Sequence, residues 1–135
     1  MGQAKIIPCD TDVIIEFYRN NPDIISELKA IGQQNIAVNT ITAGELIYGA
    51  LNKKELKQIK KDLEYLTVLD IDKKTCDVFL DIMGKYVLSH KLVLPDGFIA
   101  ASAVAHDIEL FSLNIKDYKF IEGLKLYKKP YEQEG

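Results

Sequence analysis

The spacing of apolar and polar positions changes repeatedly along the chain, and each change marks a passage between a short strand and a longer helix. Ile6 to Cys9 is a near-continuous apolar run that stops at Asp10, and a second apolar segment begins at Val13. Such a run reads as a strand buried on both faces, and the acid behind it as the start of a helix. Pro8 counts against a central strand, because it has no N–H to give to a ladder. Asn20 to Asp23 breaks the first helix, after which Ile24, Ile25, Leu28 and Ile31 recur at helical spacing until Gly32. Ile36 to Thr40 reads as a second strand. A helix opening at Thr42 runs through Leu46, Ile47, Ala50 and Leu51. Lys53 to Leu66 is a charged helix with Leu56, Ile59, Leu63 and Leu66 on its apolar stripe. Thr67 to Ile71 is β-branched and alternating, hence a strand. Lys73 to Ser89 is a long amphipathic helix carrying Cys76, Phe79, Leu80, Met83 and Val87. Pro95-Asp96 starts a small-residue helix, Gly97 to His106, suited to close packing on a sheet. Glu109 to Leu113 and Leu124 to Tyr127 are two further strands.

Strands alternating with helices imply parallel βαβ units with right-handed crossovers. The expected class is α/β: a three-layer α/β/α sandwich around a mostly parallel sheet. A length of 135 residues fits one domain, residues 1–130, with 131–135 as a tail. A net charge of −3 argues against bulk adhesion to nucleic acid but leaves room for a local basic strip. Cys9 and Cys76 both lie in apolar settings and read as free, buried thiols in a reducing cytoplasm. No segment has the pattern of a signal peptide or the length of a membrane span. Met-Gly-Gln at the start lacks the hydroxyl at position 6 that a myristoylation signal carries, since Ile6 stands there.

Three acids share one context, the passage from an apolar segment into a helix: Asp10, Glu45 and Asp96. Each has a bland reading. Thr42-x-x-Glu45 matches a capping box, and Asp96 or Asp12 can serve as helix caps. In a parallel sheet, however, strand ends and the helix starts that follow them gather on one rim. Carboxylates crowded there repel one another unless a cation offsets them. Oxygen ligands without a His or Cys partner favour Mg²⁺ or Mn²⁺ over zinc. His90 and His106 have no ligand spacing and read as surface or helix-end residues. Ser112 to Asp117 adds a fourth polar cluster behind a strand, where Asp117 can equally be a turn residue.

Asp10-Thr11-Asp12-Val13, Thr42-x-x-Glu45-Leu46, Leu94-Pro95-Asp96-x-x-Ile99-Ala100-Ala101 and Ser112-x-Asn114-x-x-Asp117-Tyr118 together resemble the motif series of PIN-domain ribonucleases. Among these the series is most similar to the VapC toxins of toxin–antitoxin pairs. Two positions depart from the usual pattern. Gly97 stands in place of alanine, which should loosen that helix start, and Ser112-Leu113 stands where many relatives have Thr-Arg. The resemblance implies metal-dependent hydrolysis of RNA phosphodiester bonds, with Mg²⁺ or Mn²⁺ held by Asp10, Asp96 and Glu45. It also implies that Asp117, with Asn114 nearby, helps place a second ion or the attacking water. Thr11 and Ser112 become candidate donors to a phosphate oxygen. The partners implied are RNA, a cognate antitoxin over the apolar faces of Ile24 to Ile31 and Leu46 to Leu56, and a second copy of the chain. Tyr48, Leu51 and Leu56 suit such interfaces, though apolar residues of this kind are more often core.

Lys53, Lys54, Lys57, Lys60 and Lys61 fall largely on one helical face. They read as a solvated face, with an RNA-backbone strip as the functional alternative. Two rival functions remain. A phosphoacceptor receiver domain would use Asp70, Ser112 and Lys129-Pro130, but leaves Glu45 and Asp96 without a role. A phosphatase built on Asp10-Thr11-Asp12 wants a threonine where Ile14 stands.

Overall fold

The computed structural model describes residues 5–127. In chain order the elements are β1 (Ile7–Pro8), α1 (Thr11–Tyr18), α2 (Pro22–Ile31), β2 (Ile36–Asn39), α3 (Thr40–Tyr48) and α4 (Lys53–Leu63). There follow β3 (Thr67–Leu69), α5 (Lys73–His90), α6 (Leu94–His106), β4 (Glu109–Leu110) and β5 (Lys125–Leu126). Short 3₁₀ turns cover Gln33–Asn35 and Ile115–Asp117. The strands are shorter than the apolar runs that announce them, because the ends of those runs pack as loops. The tail, and Lys129-Pro130 with it, lies outside the described residues.

All strand pairings are parallel. β1 pairs with β2 and β2 with β3, while β4 pairs with β5. A bridge between Cys9 and Phe111 joins the two groups, giving the order β3-β2-β1-β4-β5. Chain direction across the sheet therefore reverses between β1 and β4, and a crevice opens at the carboxyl ends of strands at such a switch point. Pro8 is accommodated within this arrangement. Cys9 N donates to Ala37 O at 2.8 Å and Phe111 N donates to Pro8 O at 2.9 Å. Residue 8 thus faces β4, and the donor it lacks is lost from that side while pairing to β2 is intact.

Two apolar clusters sandwich the sheet. Ile7, Cys9, Val13, Ile24, Leu28, Val38, Leu46 and Phe111 pack on the side of α1 to α4. Phe79, Ile82, Ile99, Ala101, Leu110, Tyr118 and Ile121 pack on the side of α5 and α6. This is the expected three-layer architecture. Tyr48 and Leu51, which sequence patterns place more often in a core, are 92% and 84% exposed. Tyr48 ends α3 and Leu51 follows it, and both point outward. Leu80 and Val87 likewise face solvent on α5, and Cys76 is half-buried rather than buried. His90 and His106 end α5 and α6 as exposed residues.

Gly97 does not loosen α6. A Cβ at this position would stand 2.7 Å from Met83 Sδ and 3.1 Å from Phe79 Cε1, so glycine lets α6 lie close on α5. The Phe79 ring cannot yield easily, because it stacks on Phe98 with centroids 3.7 Å apart. Gly97→Ala is expected to lower the melting temperature, since overpacking costs about 1–3 kcal/mol against a propensity gain of about 1 kcal/mol. In a Met83→Ala background the same change is expected to cost less, because only the Phe79 contact is left. Thermal melts of the four proteins in this double-mutant cycle check the sign and the coupling.

Candidate active site

The end of β1 turns directly into α1, and Asp10 is the residue that makes the turn. Its extended backbone (φ −67°, ψ 160°) makes it the helix cap, and its carboxylate accepts from Thr11 N at 2.8 Å. The other oxygen accepts from Ser112 Oγ at 2.9 Å, across the switch point from the end of β4. Ser112 is held in turn, its Oγ accepting from Asn114 N at 3.0 Å. Asp10 is 6% exposed, and burial pushes its carboxyl above the usual carboxylate range against the pull of these donors.

Asp12 lies one residue into α1 and turns back toward the same edge. Its carboxylate accepts from Leu113 N at 3.3 Å and from Asn114 Nδ2 at 3.2 Å. Burial, then the neighbouring Asp10 charge, pushes its pKa up to about 7. Apart from the rival phosphatase, sequence patterns gave Asp12 only a capping role. The cap is Asp10, and Asp12 ties the loop after β4 to the first helix. Asn114 stays in the same turn as Asp117, its carbonyl accepting from Asp117 N, while its side chain faces Asp12.

Glu45 arrives from α3. That helix starts at Thr40 with Asn39 as its cap, Asn39 Oδ1 accepting from Thr42 N at 2.8 Å. The capping box suggested by Thr42 and Glu45 is therefore not formed. Glu45 sits a turn inside the helix, free of the cap, and its carboxylate accepts from Thr11 Oγ1 at 2.6 Å. The protons of both hydroxyls expected to meet a phosphate, Thr11 and Ser112, go to carboxylates.

Asp96 comes from the opposite layer. α6 leads into β4, so it begins at the edge where the strands end. Its cap is Val93, without a side-chain bond, which leaves Asp96 in the first turn rather than as the cap. Asp96 accepts from Tyr118 Oη at 3.3 Å. Burial, followed by the Asp10 charge, raises its pKa to about 6, and Asp117 and Glu45 add to the rise. Asp117 closes the Ile115–Asp117 turn through its amide, which donates to Asn114 O at 3.0 Å, and its side chain is exposed. Tyr118, which carried no sequence-based role, is 1% exposed, with its hydroxyl between Asp10 and Asp96.

The sheet thus brings Asp10, Asp12, Glu45, Asp96 and Asp117 into one electrostatic neighbourhood. Among the described residues, no three acidic, His or Cys side chains stand in ligand geometry around a single point. The acids share a field rather than a closed cage. That field still fits a hard divalent cation: the donors are all oxygen, neighbouring carboxylate charge helps raise Asp10, Asp12 and Asp96, and none of the acids' hydrogen-bond partners among the described residues is a lysine or arginine. Asp70 is exposed behind β3 and is not among the groups that shift these carboxyls.

Comparison with known proteins bears on the family and the fold. The pattern of the PIN domain family matches residues 7–121. Ribonuclease VapC2 of Rickettsia felis is 30% identical over 125 residues, covering 87% of this chain and 92% of that protein. A toxin–antitoxin complex from Klebsiella pneumoniae contains a chain 26% identical, superposing with a TM-score of 0.75 over 91% of this chain and 99% of that one. VapBC2 from Rickettsia felis, bound to a DNA fragment from its promoter, gives 25% identity and a TM-score of 0.74 over 90% and 97%. A parallel sheet whose β1–β4 switch point gathers acids from both helical layers, matched over most of its length, places this chain in the PIN-domain family.

Proposed function

We propose that this chain is an endoribonuclease that hydrolyses RNA phosphodiester bonds with the help of Mg²⁺ or Mn²⁺, and that it is the toxin of a toxin–antitoxin pair. The observation that carries the reading is the meeting of Asp10, Glu45 and Asp96, from three separate elements, at one strand edge. Asp10 and Asp96 would hold the ion, with Glu45 beside them. When bound, the ion supplies a Lewis acid that acidifies water and offsets charge gathering on the phosphorus. The chain's own residues do the placing. Thr11 N and Ser112 fix the two oxygens of Asp10, Thr11 Oγ1 aims Glu45, and Asp12 pins the loop that presents Asp117.

The named relatives also guide the partner. The Klebsiella pneumoniae structure is of a toxin–antitoxin complex, and an antitoxin is the expected protein partner here. Ile24 is consumed by the core, whereas Ile25, with the largely buried Leu28, lines a groove of about 320 Å³ with Phe17, Tyr18 and Tyr65. Ile47, Tyr48 and Leu51 add an exposed apolar edge, suited to the same partner or to a second copy of the chain. The five lysines of α4 are exposed, and none takes part in an ion pair among the described residues. Their charge suits contact with an RNA backbone. The two unpaired cysteines suit a cytoplasmic setting, and no helix of the described residues is long and apolar enough to cross a membrane.

The test is incubation of the purified chain with a mixed RNA pool, with Mn²⁺ and with excess EDTA. Cleavage that depends on the cation is expected. RNA left whole in Mn²⁺, or cut equally in EDTA, overturns the reading.

A further inference from the structure

Tyr118 joins the core to the acid edge. Its ring belongs to the apolar cluster with Phe79, Leu110 and Ile121. Its amide donates to Ile115 O at 3.0 Å, so the backbone beneath it is also fixed. A ring held this way cannot swing, and the position of its hydroxyl is set by packing. That hydroxyl donates to Asp96 Oδ1 at 3.3 Å and lies near enough to Asp10 to bear on its charge. A phenol has one proton, and here it stands between two carboxylates from two layers of the fold.

The two acids depend on it unequally. Asp10 has Thr11 N and Ser112 Oγ in addition. Asp96 has no other hydrogen-bond donor among the described residues. We propose that Tyr118 is a positioning residue for the divalent cation: its hydroxyl, on a ring locked in the core, spans Asp10 and Asp96 and sets how the two carboxylates face the ion. This rests on the metal-dependent nuclease reading above. A carboxylate offers about four lone-pair sites, so donation by Tyr118 leaves room for the ion. Outer partners that orient metal ligands are typically worth about 10- to 100-fold in metal affinity.

The experiment titrates Mn²⁺ into the full chain and follows the signal of free Mn²⁺ by electron paramagnetic resonance. Tyr118→Phe removes one oxygen and keeps the ring. Tyr86→Phe is the control, since the Tyr86 hydroxyl accepts from Glu122 N at 2.9 Å, away from the acids. Tyr118→Phe is expected to bind Mn²⁺ about tenfold or more weakly, with Tyr86→Phe unchanged. RNA cleavage by Tyr118→Phe is expected to need correspondingly more Mn²⁺ and to recover as the ion saturates. Equal affinity in Tyr118→Phe and the parent overturns the proposal, as does an equal loss in both variants, which reports general loosening. Absence of Mn²⁺ binding by the parent itself overturns the nuclease reading, and this proposal with it.

Discussion

Asp10→Asn is expected to abolish RNA cleavage while leaving the fold in place, and Asp96→Asn to do the same. The amide is nearly the size of the carboxylate, so the packing around β1 survives. For Asp10, Thr11 N still finds an oxygen to donate to. What disappears is charge at the centre of the acid field, because Asp10 is the neighbour that most strongly raises both Asp12 and Asp96. A neutral residue there removes a ligand and also removes the repulsion that a cation offsets. Loss of at least about 10²- to 10³-fold in cleavage rate is expected, the scale on which losing a principal electrostatic contact acts in catalysis. Rates on a defined RNA, with thermal melts alongside, measure both parts. A variant that keeps the parental rate removes Asp10 from the reaction.

The second large effect concerns pH. Without added cation, the chain is expected to melt at a higher temperature at pH 5 than at pH 8. The pKa values of Asp12 and Asp96 rise from an ordinary 3.8 to about 7 and about 6. Between the ordinary and the raised values the folded chain binds more protons than the unfolded one, so stability falls as pH rises. The contribution is whole below the ordinary value and gone above the raised one. Both side chains are half-buried, and solvent screening trims the effect to a few degrees, about 1 kcal/mol corresponding to about 4 °C in a domain of this size. Mn²⁺ is expected to lift the melting temperature more at pH 8, where the carboxylates are charged, than at pH 5. Asp12→Asn is expected to flatten the pH slope. A melting temperature that climbs from pH 5 to pH 8 without cation would contradict the crowding.

Asp10 was legible because an apolar run ended on it, and a strand end at the edge of a parallel sheet is a place where chemistry gathers. Asp12 was not, because its role depends on Leu113 N and Asn114, about a hundred residues later, through the β1–β4 bridge. Glu45 was legible as a site acid while its helix start was misjudged. Asn39 and Thr42 offer two caps three residues apart, and Asn39 prevails because pairing with β3 keeps the strand extended up to it. Thr11 and Ser112 could be placed near the site, but a sequence does not say to which oxygen a hydroxyl gives its proton. Tyr118 reads as one more core aromatic, and only its depth and direction reveal that its far end is polar work. Tyr48 and Leu51 show the opposite failure, since apolar side chains behind a helix end carry no mark of which way they face.

Pro8 leaves the seam between β1 and β4 one rung short. Asp10 stands on one bank of that seam and Ser112 on the other, while Asp96 and Tyr118 belong to the far helical layer. Among the described residues a single bridge, Cys9 with Phe111, crosses the middle of the sheet, against two paired positions between β1 and β2 and three between β2 and β3. Any widening or narrowing of the acid edge is expected to come from one half of the sheet shifting against the other, so substitutions deep in either apolar cluster are expected to change the grip on an ion they never approach.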